Sequence, residues 1–158
     1  MILAYSTETG GPLVILNNEV VASLVRHRQL SAKDKEAGGQ LFARFDGGNT
    51  IIVEATEPKL LDRRGRYGFL PNRLLQRQEI KARHKKGRHF VGDWHTHPQP
   101  IPSPSGEDIR SMVDCFRKSR HELKTFLMII VGTEEPPEGL LVCLVNERGV
   151  LNLRCVPL

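Results

Sequence analysis

Asp93-Trp94-His95-Thr96-His97-Pro98, followed by Ser105-Gly106-Glu107-Asp108, is the stretch of this chain whose residue types and spacing suit chemistry. In an extended strand side chains alternate, so His95 and His97 share one face, about 6.6 Å apart along the chain. Two imidazoles placed that way can meet one metal ion. Pro98 helps to end the strand, and Pro98, Pro100, Pro102 and Pro104 stiffen the loop that follows. Ser105 is placed to cap a helix whose first turn carries Asp108, three residues on. That turn can bring a carboxylate back to the two imidazoles. Two histidines, one carboxylate and a water make the open, catalytic kind of zinc site, not the closed structural kind. Each piece alone has a plainer explanation: an HxH pair can be incidental, and Ser105 with Asp108 is an ordinary cap. Their order along the chain favours the metal.

A zinc hydrolase also needs a base to take a proton from the reacting water. Glu36 is the candidate, because it precedes Ala37-Gly38-Gly39, where missing side chains let another chain or a substrate approach closely. With twelve glutamates present, spacing alone does not choose Glu36 over Glu54, and a solvated charge at a strand edge is the alternative. Asp93, two residues before His95 on the same strand face, is either an acceptor for a ligand histidine or a surface acid. Trp94 points the other way, into the core. His27, His84, His89 and His121 lie in helical or basic contexts without a carboxylate partner and are read as non-functional.

The elements that must position these residues follow from periodicity and turn chemistry. Ile2 to Tyr5 and Leu13 to Leu16 read as strands. Asn17 or Asn18 caps a helix running to about Leu30, with Val20, Val21, Leu24 and Val25 on one face. Gly39 to Phe45 reads as a strand that turns through Asp46-Gly47-Gly48 into Thr50 to Ala55. Residues 57 to 71 are expected to be a loop, and Asn72 to about Lys86 a helix with Arg73, Arg77 and Lys81 in one exposed stripe. Strands are expected at Phe90 to His95 and Thr125 to Gly132, with a helix from Gly106 to about His121 between them. Strands at Leu140 to Asn146 and Val150 to Val156 complete a mixed α/β fold, a sheet flanked by helices.

Composition limits the alternatives. The chain has 158 residues, 39% hydrophobic and 26% charged, which fits one soluble domain spanning 1–158. No apolar run exceeds six residues, so a membrane-spanning helix is excluded. Met1 to Ser6 lacks the basic start and long apolar stretch of a secretory signal, so the expected location is cytoplasmic. Cys115, Cys143 and Cys155 are odd in number and lack CxxC spacing, which argues against a disulfide framework or a cysteine-bound zinc. They are read as buried, small apolar residues. Charge is unevenly placed: eleven Lys/Arg face two acids between Lys59 and Arg88, a net of +9 in a chain of net +5. Such a segment is either a surface for an acidic partner or a solvated helix face with a basic loop.

Glu36-Ala37-Gly38-Gly39, His95-Thr96-His97, and Ser105-x-x-Asp108 together resemble the JAMM motif of the JAB/MPN metalloproteases. The glutamate, both histidines, the serine and the aspartate all stand at that family's spacing, and the implied fold would span nearly the whole chain. The resemblance implies a single MPN/JAB-type domain with a mostly antiparallel, cytidine-deaminase-like sheet. It implies that His95, His97 and Asp108 bind one zinc with water as fourth ligand. By the same resemblance Glu36 is the general base and Ser105 helps to stabilise the oxyanion. The family cleaves isopeptide or peptide bonds after the C-terminus of ubiquitin or ubiquitin-like proteins.

Gly92-Asp93-Trp94-His95-Thr96-His97-Pro98 on a short chain resembles the bacterial JAB proteins of defence and mobile-element operons, most of all the isopeptidases of CBASS anti-phage operons. That branch implies a nucleotidyltransferase tail as substrate: the protease removes a cyclic-oligonucleotide synthase conjugated through its C-terminus to other proteins. A JAMM protease that processes a ubiquitin-like or sulfur-carrier protein, and a non-catalytic MPN binding scaffold, are the alternatives. A nucleic-acid-binding module on Lys59 to Arg88 is disfavoured, since only Tyr67 and Phe69 interleave the cations there. A zinc nucleoside deaminase would pair His-x-Glu with Pro-Cys-x-x-Cys, and the chain has neither.

Overall fold

The computed structural model describes residues 1–59, 62–65, 69–70 and 73–158. Tyr67 and Asn72, the latter the expected start of a helix, lie outside the described residues. The elements run β1 (Leu3–Ser6), β2 (Val14–Leu16), α1 (Asn18–Arg26), β3 (Gly38–Asp46), β4 (Asn49–Ala55), β5 (Arg63–Arg64), β6 (Phe69–Leu70) and α2 (Arg73–His84). They continue with β7 (His89–Thr96), α3 (Gly106–Lys118), β8 (Phe126–Val131), β9 (Leu140–Asn146), β10 (Gly149–Asn152) and β11 (Arg154–Val156). Nine strands form one sheet in the order β10-β9-β8-β7-β3-β4-β2-β1-β11. Among the described residues only the β2–β4 and β7–β8 pairs are parallel. This is the mixed, mostly antiparallel α/β architecture expected.

Several elements depart from expectation. The helix α1 is capped by Asn17, whose side chain accepts from the Val20 N–H, but stops at Arg26, short of Leu30. There the His27 N–H turns back to the Leu24 carbonyl and its imidazole meets Glu57, a carboxylate partner that was not expected. Among the described residues of the loop expected over 57 to 71, Arg63–Arg64 pair with Phe69–Leu70 as β5 and β6. The helix α3 ends at Lys118; His121 instead packs on Phe126 and its Nε2 donates to the Phe116 carbonyl at 2.8 Å. Cys155 is exposed, not buried. The single strand expected over 150–156 changes partner at Leu153. It pairs with β9 before that residue and with β1 after it, at opposite ends of the strand order. The sheet therefore curls until its two ends are joined by one residue.

Two apolar layers pack on the two faces of the curled sheet. The β8 run Phe126–Val131 is buried throughout, because Leu127, Ile129 and Val131 face one layer while Phe126, Met128 and Ile130 face the other. The first layer includes Val20, Val21 and Leu24 of α1, and the second includes Met112 of α3. The helix α2 is held differently. Among its described side chains only Gln76 is buried. Arg83 forks onto Glu54 at 2.6 and 3.0 Å and lies 5.0 Å from the Phe42 ring centre, while Lys59 meets Glu79 at 2.7 Å. Arg73, Arg77 and Lys81 stand exposed, as the stripe predicted. Among the described residues no helix is long and apolar enough to cross a membrane.

One irregularity sets the side from which the histidines emerge. Along β3 and β7, Leu41 pairs with Gly92 but Phe42 pairs with Phe90, so Val91 is an extra residue in β7. The bulge lets Val91 join Trp94 in the α1 layer although the two are three residues apart. Gly92 sits at φ +152°, and a Cβ there would lie 1.8 Å from the Leu127 carbonyl oxygen. Gly92→Ala should therefore cost about 3 kcal/mol or more of stability. Urea unfolding that matches the parent chain would show that the bulge can be rebuilt without glycine.

Candidate metal centre

The β7–α3–β8 crossover places the end of β7 beside the start of α3, where parallel strands with a connecting helix leave a crevice. Ser105 caps α3 through a reciprocal box: its Oγ accepts the Asp108 N–H at 3.0 Å, and the Ser105 N–H donates to Asp108 Oδ2 at 2.9 Å. The box aims Asp108 at the strand. Its Oδ2 lies 3.3 Å from His95 Nε2 and 3.2 Å from His97 Nε2, and the two Nε2 atoms are 3.2 Å apart. Tetrahedral ligands about 2.0–2.1 Å from zinc are spaced about 3.3 Å from one another, so the three donor atoms fit that ion. Gln99 Oε1 faces His97 Nδ1 at 3.2 Å and also accepts the Ser103 N–H, which leaves His97 Nε2 to face the centre.

Glu36 reaches the same centre from the opposite strand. Gly38 pairs with His95, and the Thr96 N–H donates to the Ala37 carbonyl at 2.9 Å, so the residue before Ala37 is carried beside the histidines. Glu36 is 7% exposed, and its carboxylate lies within 4.8 Å of the ligating nitrogens of His95 and His97. The glycine that follows serves the protein's own packing: a Cβ on Gly39 would come 2.2 Å from the Thr56 carbonyl and 2.8 Å from Trp94 Nε1. Trp94 is core as expected, donating from Nε1 to that Thr56 carbonyl at 3.0 Å.

The charges of the centre are strongly coupled. Burial alone would lift the Asp108 carboxyl, but hydrogen bonds from both imidazoles, the charge of His95 and the Ser105 N–H hold it well below the usual range. Burial opposes charge on His97, yet the Asp108 hydrogen bond and charge, with Gln99 and Glu36, raise it. Burial raises Glu36, Asp108 and Glu107 add to that, and His95 and His97 oppose it. A carboxylate lifted in this way is a better proton acceptor than an ordinary surface glutamate. Asp93 fits neither expected role. The residue is half-buried with its Oδ1 inside and unpartnered, and among the described residues no hydrogen bond joins it to His95. Burial pushes its carboxyl up to about 6, partly offset by Arg73 and His95.

All five residues predicted for the site thus converge on one crevice. Sequence reasoning missed Gln99 beside His97 Nδ1 and the burial of Thr96. Thr96 had a usable signal, because a polar residue between two same-face histidines must point into the core.

This fold and centre define a JAB-type domain: residues 17–143 match the family of prokaryotic homologues of the JAB domain, and the chain belongs to that family. Its relatives include a CD-NTase/cGAS isopeptidase of Enterobacter hormaechei, 30% identical over 96% of this chain and 85% of that protein. Another, from Pseudomonas aeruginosa, is 32% identical over 82% of this chain and 83% of its own length. A solution structure of a Desulfitobacterium hafniense protein shares the fold, with TM-score 0.61 and 24% identity over 87% of both chains.

Metal analysis of the purified chain should find about one zinc per molecule, absent from His97→Ala. A chain that stays free of zinc after loading would remove the metal from this centre.

Proposed function

We propose that this chain is a zinc-dependent JAMM-type isopeptidase, one domain over residues 1–158. Its substrate would be a CD-NTase joined through its C-terminus to another protein, and its setting cytoplasmic anti-phage defence of the CBASS kind. The observation that carries the hydrolase reading is a buried carboxylate, Glu36, set against the triangle of His95, His97 and Asp108. The substrate class is supported by the relatives, which are named CD-NTase/cGAS isopeptidases over most of their length.

His95, His97 and Asp108 would hold the zinc. When bound, zinc polarises a carbonyl and brings the pKa of a coordinated water to about 7. Glu36 would take the proton of the attacking water and pass it to the leaving amine. Burial and the neighbouring carboxylates suit it to hold that proton for part of the cycle. Ser105 Oγ is already an acceptor for the Asp108 N–H, which leaves its hydroxyl hydrogen to donate to the oxyanion of the tetrahedral intermediate. The exposed Arg73, Arg77 and Lys81 stripe would hold an acidic surface or tail of the substrate.

The test uses a CD-NTase whose C-terminus is joined by an amide bond to a reporter protein. Glu36→Gln should lose about 10²–10⁴-fold in kcat while retaining its zinc. Full activity in that variant would remove Glu36 from the chemistry. Reversing Arg73, Arg77 and Lys81 to Glu should raise KM with little change in kcat. Kinetics equal to the parent's would make the stripe a solvated helix face.

A further inference from the structure

We propose that Thr96 and Gln29 are positioning residues that set where the Glu36 carboxylate stands relative to His95 and His97. The inference rests on Glu36 acting as the base. Strand alternation sends the Thr96 side chain away from the histidines and into the core, where the residue is 0% exposed. There its Oγ1 accepts the Ala37 N–H at 2.9 Å and donates its own hydrogen to Gln29 Oε1 at 2.8 Å. The Thr96 N–H donates to the Ala37 carbonyl at 2.9 Å. One residue of the histidine strand therefore grips both polar backbone atoms of the residue that follows Glu36.

Gln29 completes the grip from the other side. It is 2% exposed, and while its Oε1 receives the Thr96 hydroxyl, its Nε2 donates to the Asp34 carbonyl at 3.3 Å. Asp34 stands two residues before Glu36 and Ala37 one residue after, so the two side chains hold the backbone on both sides of the carboxylate. The intervening turn is tied as well: the Ser31 N–H donates to Asp34 Oδ2 at 2.8 Å and the Asp34 N–H to the Ser31 carbonyl at 3.1 Å. The Thr96 bonds to Ala37 and Gln29 are buried, where such bonds are strong and costly to leave unmade, so they favour one arrangement. The span from Gln29 to Glu36 lies outside any helix or strand, and these bonds supply the rigidity that regular structure would otherwise give. A displacement near 1 Å at a reacting group lowers turnover by about 10²-fold.

The experiment compares Thr96→Val, which keeps shape but loses the hydroxyl, Thr96→Ser, which keeps the hydroxyl, and Gln29→Met. Each is made in the full zinc-loaded chain, with and without Glu36→Gln, and assayed on the CD-NTase–reporter fusion. Thr96→Val and Gln29→Met should lower kcat about 10- to 100-fold with KM and zinc affinity unchanged. Thr96→Ser should recover most of the loss, and Thr96→Val should add nothing once Glu36 is glutamine. An equal loss in both backgrounds, or a parallel loss of zinc, would overturn the proposal in favour of general destabilisation. Full activity of Glu36→Gln alone would instead overturn the reading of Glu36 as base. Amide exchange needs neither substrate nor metal: residues 34–38 should exchange about 10-fold faster in Thr96→Val and Gln29→Met while the sheet core is unaffected. Unchanged exchange there would overturn the clamp itself.

Discussion

The parity of β7 is the constraint on which the centre depends. A strand offers its side chains alternately to two faces, and a shift of one residue exchanges them all. In this protein the two faces are not equivalent: one meets α1 and the other meets α3. The extra residue at Val91, accommodated by Gly92, sends Val91 and Trp94 into the α1 layer and leaves His95 to face the start of α3. Without it, either the core would receive the imidazoles while the crevice received Trp94 and Thr96, or Val91 would leave the α1 layer. The candidate metal centre and the hydrophobic core are two readings of one alternation.

That sharing explains why the site is polar yet rigid. Each group at the centre is backed by one that faces the other way. His95 and His97 flank a buried threonine, Asp108 is locked by the cap of its own helix, and Glu36 precedes an alanine held at both backbone atoms. The electrostatics follow from the same crowding. Two imidazoles hold Asp108 ionised, whereas burial and that same Asp108 lift Glu36. Two carboxylates that face the same pair of imidazoles are thereby given different proton affinities, which suits one to bind a cation and the other to carry a proton.

Legibility in the sequence tracked locality. His95 and His97 were readable from strand alternation, and Ser105 with Asp108 from the rules of helix capping, because these patterns act over two or three residues. Glu36 is some sixty residues away, and only resemblance to a known motif separated it from Glu54, which the structure occupies with Arg83 and Arg88. The bulge could not be read, since an extra residue shows only against its partner strand. Gln29 carried no signal at all, its burial being a product of the loop path after α1. The break at Leu153 was hidden for a related reason: residues 150–156 look like one strand because they are extended throughout, and only the identity of the neighbours changes.

That change of neighbour bears on how the molecule comes together. Ala4 pairs with Val156, so nearly the whole chain is enclosed between two partners that lie side by side. Bringing such distant segments into register means closing a very long loop before any contact rewards it. The helical crossover from β7 to β8 and the β3–β4 hairpin need no such wait. Assembly should therefore proceed from a locally built middle, which already carries His95, His97 and Asp108, toward a seam that forms last. The pairing of β1 with β11 is therefore the step expected to set the folding rate.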